Sequence, residues 1–273
     1  MSQFIDNLNA AVKRNNSLLC VGIDPALGKM PPQFSAFEQP FFAFGKAIVD
    51  ATHDLVCAYK PQIAYYASHS AESELEATVA YIKANYPYIP VILDSKRGDI
   101  GATAEQYAQE AFDRYSADAV TLNPYMGSDC AAPFLERADK GAIFLCRTSN
   151  SGAADFQELE IDGSKLYEHV ASRIANDWNQ HRNCCLVVGA TAPEQIARVR
   201  RIVGDMPLLV PGVGAQGGDV EQIVKAGQTA DGAGLIINAS RSIIYASAGS
   251  DCAEAARQAA LSLRDQINQY RAV

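Results

Sequence analysis

Short apolar runs rich in Val, Ile and Leu recur along the chain: LLCVGID (18–24), CAYKPQI (57–63), PVILDSK (90–96), DAVTLNP (118–124), GAIFLCRT (141–148), CLVVGAT (185–191), PLLVPGVG (207–214) and GAGLIINAS (232–240). They are near-continuous rather than alternating in polarity, as expected of strands covered on both faces in a parallel sheet. Amphipathic stretches of helical spacing are predicted at 41–55, 71–86, 102–115, 129–140, 165–181, 193–203, 220–226 and 253–270, and the first 16 residues read as a further helix. Eight βα units in 273 residues predict an α/β fold, a (β/α)8 TIM barrel. Periodicity alone leaves an open, doubly wound sheet as the alternative. No linker or low-complexity block divides the chain, so a single catalytic domain over 1–273 is expected. Its two longest irregular stretches, 25–40 and 149–164, follow strands one and five, on the face where a barrel builds its active site, and either is a candidate lid.

Composition changes this picture little but narrows the partners. With 48% hydrophobic and 20% charged residues the chain is of ordinary globular type, not disordered, collagenous or coiled-coil. Twenty-three basic against 31 acidic residues give a net charge of −8, which argues against unspecific attraction to nucleic acid or to an anionic membrane. A small-molecule partner is expected instead. No run of about 18 apolar residues occurs, and the N-terminus carries Asp6 and lacks the apolar core of a secretory signal. Seven cysteines, odd in number and without C-x-x-C spacing, fall largely in apolar runs, so buried reduced thiols and a cytoplasmic address are expected.

Candidate chemistry gathers at predicted strand ends. In PVILDSK, alternation along a strand puts Asp94 and Lys96 on one side, facing the barrel mouth, and Ser95 on the other. Neither charge is cheap to desolvate alone, so each needs the other merely to stay there. Lys60 on strand two, Asp24 after strand one and Asp99 in the loop after strand three would join them, more charge than a structural ion pair requires. On the other side of the barrel, PGVGAQGGD (211–219) follows strand seven and NASRS (238–242) follows strand eight. Adjacent loops of this kind form the usual phosphate site of a barrel, with backbone N–H groups freed by glycine, the Gln216 amide and the Arg241 fork as donors. The four histidines sit at no strand end beside a carboxylate, no zinc or EF-hand spacing occurs, and no G-x-G-x-x-G follows strand one. Trp178 and the Tyr65–Tyr66 pair read as packing residues.

In that order along the chain, VGIDP, AYKPQ, LDSKRGDIGAT, NPYMG, RTSN, PGVGAQGGD and SRSIIYA resemble the orotidine 5′-phosphate decarboxylase family, specifically its longer-chain bacterial branch. LDSKRGDI is the most specific element. What the resemblance implies is decarboxylation of orotidine 5′-monophosphate to UMP without metal or organic cofactor, in a homodimer with active sites at the subunit interface. By the same resemblance Lys96 would be the proton donor and Lys60, Asp94 and Asp99 the rest of an alternating charged array, with Asp99 and Thr103 supplied by the partner subunit. Asp24 would meet a ribose hydroxyl, Ser149 the pyrimidine, and Pro211, Gln216 and Arg241 the closing loop and the phosphate. Ser151 and Ser240 stand where relatives often carry proline and glycine.

Overall fold

The computed structural model describes residues 2–213 and 219–272. In chain order the elements are α1 (Gln3–Asn15), β1 (Leu19–Ile23), α2 (Pro40–Thr52), β2 (Ala58–Pro61), α3 (Ile63–Ala67), α4 (Glu72–Asn85), β3 (Ile92–Arg97), α5 (Gly101–Gln109), β4 (Ala119–Leu122), α6 (Ser128–Leu135) and β5 (Gly141–Arg147). A two-residue hairpin follows, β6 (Glu160–Ile161) and β7 (Ser164–Lys165), then α7 (Leu166–Arg173), β8 (Cys184–Val188), α8 (Pro193–Val203), β9 (Leu208–Pro211), α9 (Val220–Gly227), β10 (Leu235–Ala239), α10 (Arg241–Ile244) and α11 (Cys252–Gln269).

All eight predicted strands form, and they pair in parallel in the order β2-β1-β10-β9-β8-β5-β4-β3. Whether the sheet closes is decided at its ends. Parallel bridges join Tyr59 to Val91 and Gln62 to Asp94, and Tyr59 N donates to Pro90 O at 3.1 Å, so β2 meets β3 and the sheet becomes a barrel. Chain order around the barrel then places β5 and β8 between the β3–β4 and β9–β10 pairs. Nearly every strand residue is buried, which is the physical reason the runs lacked alternation: side chains on one face fill the barrel and those on the other meet helices.

Local chemistry sets the helix ends. Ser2 caps α1 by accepting from Ile5 N, Asp6 lies in its first turn and Lys13 and Arg14 in its last, each favourable to the helix dipole. Pro40 and Pro193 occupy the first positions of α2 and α8, where a missing N–H costs nothing. In α8 the buried residues Ile196, Val199 and Val203 recur at helical spacing against the barrel wall. Where α5 and α7 end, wider π-type turns at Glu110–Arg114 and Ile174–Trp178 continue them, close to the predicted limits. The predicted helix at 129–140 stops earlier, at Leu135, with Pro133 in its last turn.

The two irregular stretches behave differently. Segment 25–39 is tied down by buried Met30 and by Phe34, whose ring meets Phe44 edge-on at 5.3 Å, so it is packed onto the barrel rather than poised as a free lid. The stretch after β5 carries a 3-10 turn, Ser151–Asp155, and the hairpin, and leaves Phe156, Leu159 and Ile161 exposed. Trp178 packs edge-on against Phe144 and Tyr66 lies buried against Phe41, in keeping with packing roles. All seven cysteines are free and buried; burial pushes the Cys20, Cys146 and Cys184 thiols up to about 12, so they act as small apolar groups. No helix among the described residues is long and apolar enough to cross a membrane.

Candidate active site

Strand β2 ends AYKP and brings Lys60 to the barrel mouth with a side chain only 5% exposed. Its Nζ donates to Asp94 Oδ2 at 2.7 Å, across the β2–β3 closure. Asp94, 9% exposed, takes Lys96 Nζ on its other oxygen at 2.6 Å. One carboxylate therefore sits between two ammonium groups, and Lys96, at 46%, is the member that reaches solvent. Burial opposes ionisation of Asp94, but Lys60 and then Lys96 outweigh it and hold the carboxyl well below the usual carboxylate range. For Lys60 burial likewise opposes the charge, and the Asp94 and Asp24 carboxylates reverse it, raising its pKa. Asp94 and Lys60 thus each stabilise the charged form of the other.

Alternation predicts that Asp94 and Lys96 share a side, and their side chains do meet, but β3 is not a regular strand there. Its register against β4 shifts between Leu93 and Arg97, and Lys96 adopts a left-handed backbone, φ +49°. Thr121 of β4, which sequence reasoning missed, donates from Oγ1 to Asp94 Oδ1 at 2.9 Å. The signal for it was a lone hydroxyl within an apolar strand run.

Asp24 follows β1 and is half-buried; its Oδ1 has no hydrogen-bond partner, and its carbonyl accepts from the Tyr245 hydroxyl at 2.9 Å. That hydroxyl accepts in turn from Ala26 N at 2.7 Å, tying the Asp24 loop to the segment after α10. Asp99 lies in the loop after β3, where its Oδ1 accepts from Ile100 N at 2.8 Å; it forms no ion pair with Lys60 or Lys96 of its own chain. Thr103 is exposed in the first turn of α5. The structure thus brings Lys60, Asp94 and Lys96 together and leaves Asp99 and Thr103 outside the cluster.

Ser149 lies half-buried after β5 against Gly189, which follows β8; a Cβ at Gly189 would stand 2.7 Å from Ser149 Cβ and 2.8 Å from its N, so glycine is needed for this approach. Thr148 beside it is fixed by Gln157, whose amide accepts from Thr148 N and donates to its hydroxyl, both at 2.8 Å. On the far side, Pro211 ends β9 and Arg241, exposed, opens α10 directly after β10. Gln216 lies outside the described residues. Gly22 of β1 makes room for Ser240, whose Cβ would be 2.8 Å from a Cβ at that position. Among the described residues no group of three or more His, Cys, Asp or Glu side chains is placed to hold a metal ion.

A closed parallel barrel with paired ammonium and carboxylate groups at the C-terminal ends of its strands defines the class: a (β/α)8 barrel whose charged side chains gather on the face where such barrels build their active sites. The profile of the Orotidine 5′-phosphate decarboxylase / HUMPS family matches residues 17–259, and the chain belongs to that family. It is 63% identical over 271 residues to the orotidine 5′-phosphate decarboxylase of Cellvibrio japonicus (strain Ueda107), covering 98% of this chain and 99% of that one. To the protein of the same name from Ralstonia pickettii (strain 12J) it is 61% identical over 269 residues, covering 98% and 99%. Among solved structures, the OMP decarboxylase of Leishmania donovani superposes with a TM-score of 0.85 at 40% identity, covering 99% of both chains.

Proposed function

We propose that the charged mouth removes CO2 from orotidine 5′-monophosphate to give UMP in pyrimidine biosynthesis, with Lys96 as the proton donor. The observation that carries the proposal is the hydrogen-bonded chain Lys60–Asp94–Lys96, held at 2.7 and 2.6 Å at the ends of β2 and β3. When the C6–carboxylate bond breaks, its electron pair remains on C6 in an in-plane orbital, orthogonal to the ring π system, so the ring cannot disperse it. An ammonium beside C6 meets that charge as it develops and then passes its proton to C6, after which Lys96 regains a proton from solvent. Asp94, close to the departing carboxylate, bonds Lys96 Nζ and so orients its ammonium, and Lys60 keeps Asp94 charged. No metal or organic cofactor enters this scheme, because the ammonium supplies the positive charge.

The rest of the site holds the nucleotide. Asp24 receives a ribose hydroxyl, with its unpartnered Oδ1 in support, and Ser149 the pyrimidine. Pro211, Gln216 and Arg241 close over and clamp the phosphate, whose binding energy is thereby used at the reacting centre. A protein of net charge −8 does not attract an anionic nucleotide in bulk, so the local cations Lys60, Lys96 and Arg241 must. We assign a homodimer in which Asp99 and Thr103 complete the site of the partner subunit. Its support is that neither joins the charged cluster of its own chain, while Ile100, Tyr125, Met126 and Phe156 on the neighbouring loops leave large apolar groups exposed. The same reading makes residues 1–273 one catalytic unit of the cytoplasm, consistent with seven unpaired thiols.

Mixing two inactive variants tests both parts. Lys96→Ala should bind UMP yet release CO2 at least about ten-thousand-fold more slowly than the parent, and Asp99→Ala should also be strongly impaired. Mixed and re-equilibrated, they should recover about a quarter of parental activity, because each heterodimer assembles one intact site from two. Near-parental turnover by Lys96→Ala would refute the proton-donor role. Absence of recovery on mixing would refute the shared site.

A further inference from the structure

Parallel pairing of β3 with β4 runs in step at Ile92↔Ala119 and Leu93↔Val120 and resumes at Arg97↔Leu122. Between those pairs β3 places Asp94, Ser95 and Lys96 opposite Thr121 alone. Such a bulge leaves the extra N–H groups without carbonyl partners on the neighbouring strand, and buried N–H groups do not go unsatisfied cheaply. The Thr121 hydroxyl takes both: Ser95 N and Lys96 N each donate to its Oγ1 at 3.0 Å. Its own proton goes to Asp94 Oδ1 at 2.9 Å, the same oxygen that receives Lys96 Nζ at 2.6 Å. One donor and two acceptor positions, the whole capacity of a hydroxyl, are used.

Thr121 is buried, in a strand whose other members, Ala119, Val120 and Leu122, are apolar. Packing alone would be met equally well by valine, which has the same shape and a higher affinity for strands. What valine lacks is the means to hold the left-handed backbone of Lys96 and the carboxylate that Lys96 bonds.

We propose that Thr121 is a positioning residue for the decarboxylation: its hydroxyl fixes the β3 bulge and the Asp94 oxygen together, and so sets where the Lys96 ammonium stands. It acts through Asp94 and Lys96 and contacts no reacting atom. The proposal rests on the assignment of Lys96 as proton donor, and the two fail separately.

The test is steady-state kinetics on Thr121→Val and Thr121→Ser, per folded active site, with thermal unfolding measured alongside. A displacement near 1 Å at a reacting centre costs about a hundredfold, so Thr121→Val should lower kcat by about thirtyfold or more and leave KM within about threefold, since the nucleotide-holding groups are untouched. Thr121→Ser, which keeps the hydroxyl, should stay within about threefold of the parent. A merely structural threonine would instead lower the melting temperature and leave kcat per folded site unchanged. If Thr121→Val does not fold, Thr121→Cys, with a weak acceptor of similar volume, is held to the same kcat threshold. Parental kcat in Thr121→Val or its cysteine counterpart, or a loss that serine does not recover, overturns the proposal. An active Lys96→Ala overturns the underlying assignment; an inactive Lys96→Ala beside a fully active Thr121→Val overturns this inference alone.

Discussion

On the β2–β4 side of the barrel mouth, Lys60, Asp94, Lys96 and Thr121 are bonded to one another at 2.6 to 2.9 Å, and three of the four are buried. On the β9–β10 side, Pro211 ends a strand and Arg241 begins a four-residue helix in solvent, with no ion pair to Arg241 among the described residues. The first region is bonded within itself, whereas Arg241 in the second is exposed. Charge that appears only in passing at C6 can be met only by groups already in place, because the protein has no time to reorganise around it. A phosphate, in contrast, arrives as a permanent anion and can itself order the exposed donors that bind it. On the proposed reading the difference is one of job: one side serves the reacting centre, the other a handle.

The comparison breaks most severely if Asp94 is replaced. Asp94→Asn leaves buried Lys60 facing a neutral amide, and removal of one partner of a buried pair costs about 3–5 kcal/mol at neutral pH. The pH dependence carries the sign. A carboxyl whose folded pKa is depressed contributes stability that is present above its unfolded value, about 3.9, and that is lost as pH falls toward the folded one. The gap between parent and variant in urea denaturation should therefore be widest near pH 7 and narrow below about pH 4. A gap that is constant with pH would mean that Asp94 is held by packing and not by its lysines.

Arg241→Ala probes the opposite side and should behave in the opposite way. Being exposed, Arg241 contributes little to the fold, so unfolding should hardly change. Loss of the proposed charge-assisted bonds to phosphate should lower kcat/KM by about ten- to a hundredfold. Inorganic phosphite added to the assay should not substitute for it. If Arg241→Ala instead lowered stability as Asp94→Asn does, the distinction between an internally bonded side and an exposed one would collapse.

How much of this was legible beforehand differs between the same two sides. Near-continuous apolar runs located all eight strands, because burial on both faces leaves its mark in every residue of a run. Lys60, Asp94 and Lys96 were legible as charges where a strand should be apolar. The bulge that joins Asp94 to Lys96 was not: alternation assumes a regular ladder, and the ladder shifts at that point. Thr121 stayed hidden because its partners lie 25 to 27 positions away in sequence. Helices α3 and α10, of five and four residues, are too short to show a helical period, so the element that carries Arg241 was read as a loop. Segment 25–40 looked like a lid because it is long and irregular and follows a strand end, while its anchors, Met30 and Phe34, show no helical or strand period.

Between the two sides, in barrel order, stand β5 and β8, and there Ser149 rests on Gly189. A methyl group at 189 would lie 2.7 to 2.9 Å from three atoms of Ser149, two of them backbone, so nothing flexible is available to yield. Gly189 N also donates to Arg147 O at 2.7 Å, which prevents the β8 end from retreating. Gly189→Ala should therefore push the loop after β5 outward and cost about 1–3 kcal/mol of stability, the range of a modest overpacking. Its kinetic signature should sit in KM, raised about threefold to tenfold through displacement of the pyrimidine contact proposed for Ser149, with kcat near the parental value because Lys96 and Asp94 stand on other strands. A fall in kcat without a rise in KM would show that the seam is coupled to the charged side, and the two halves of the mouth would have to be treated as one preorganised unit.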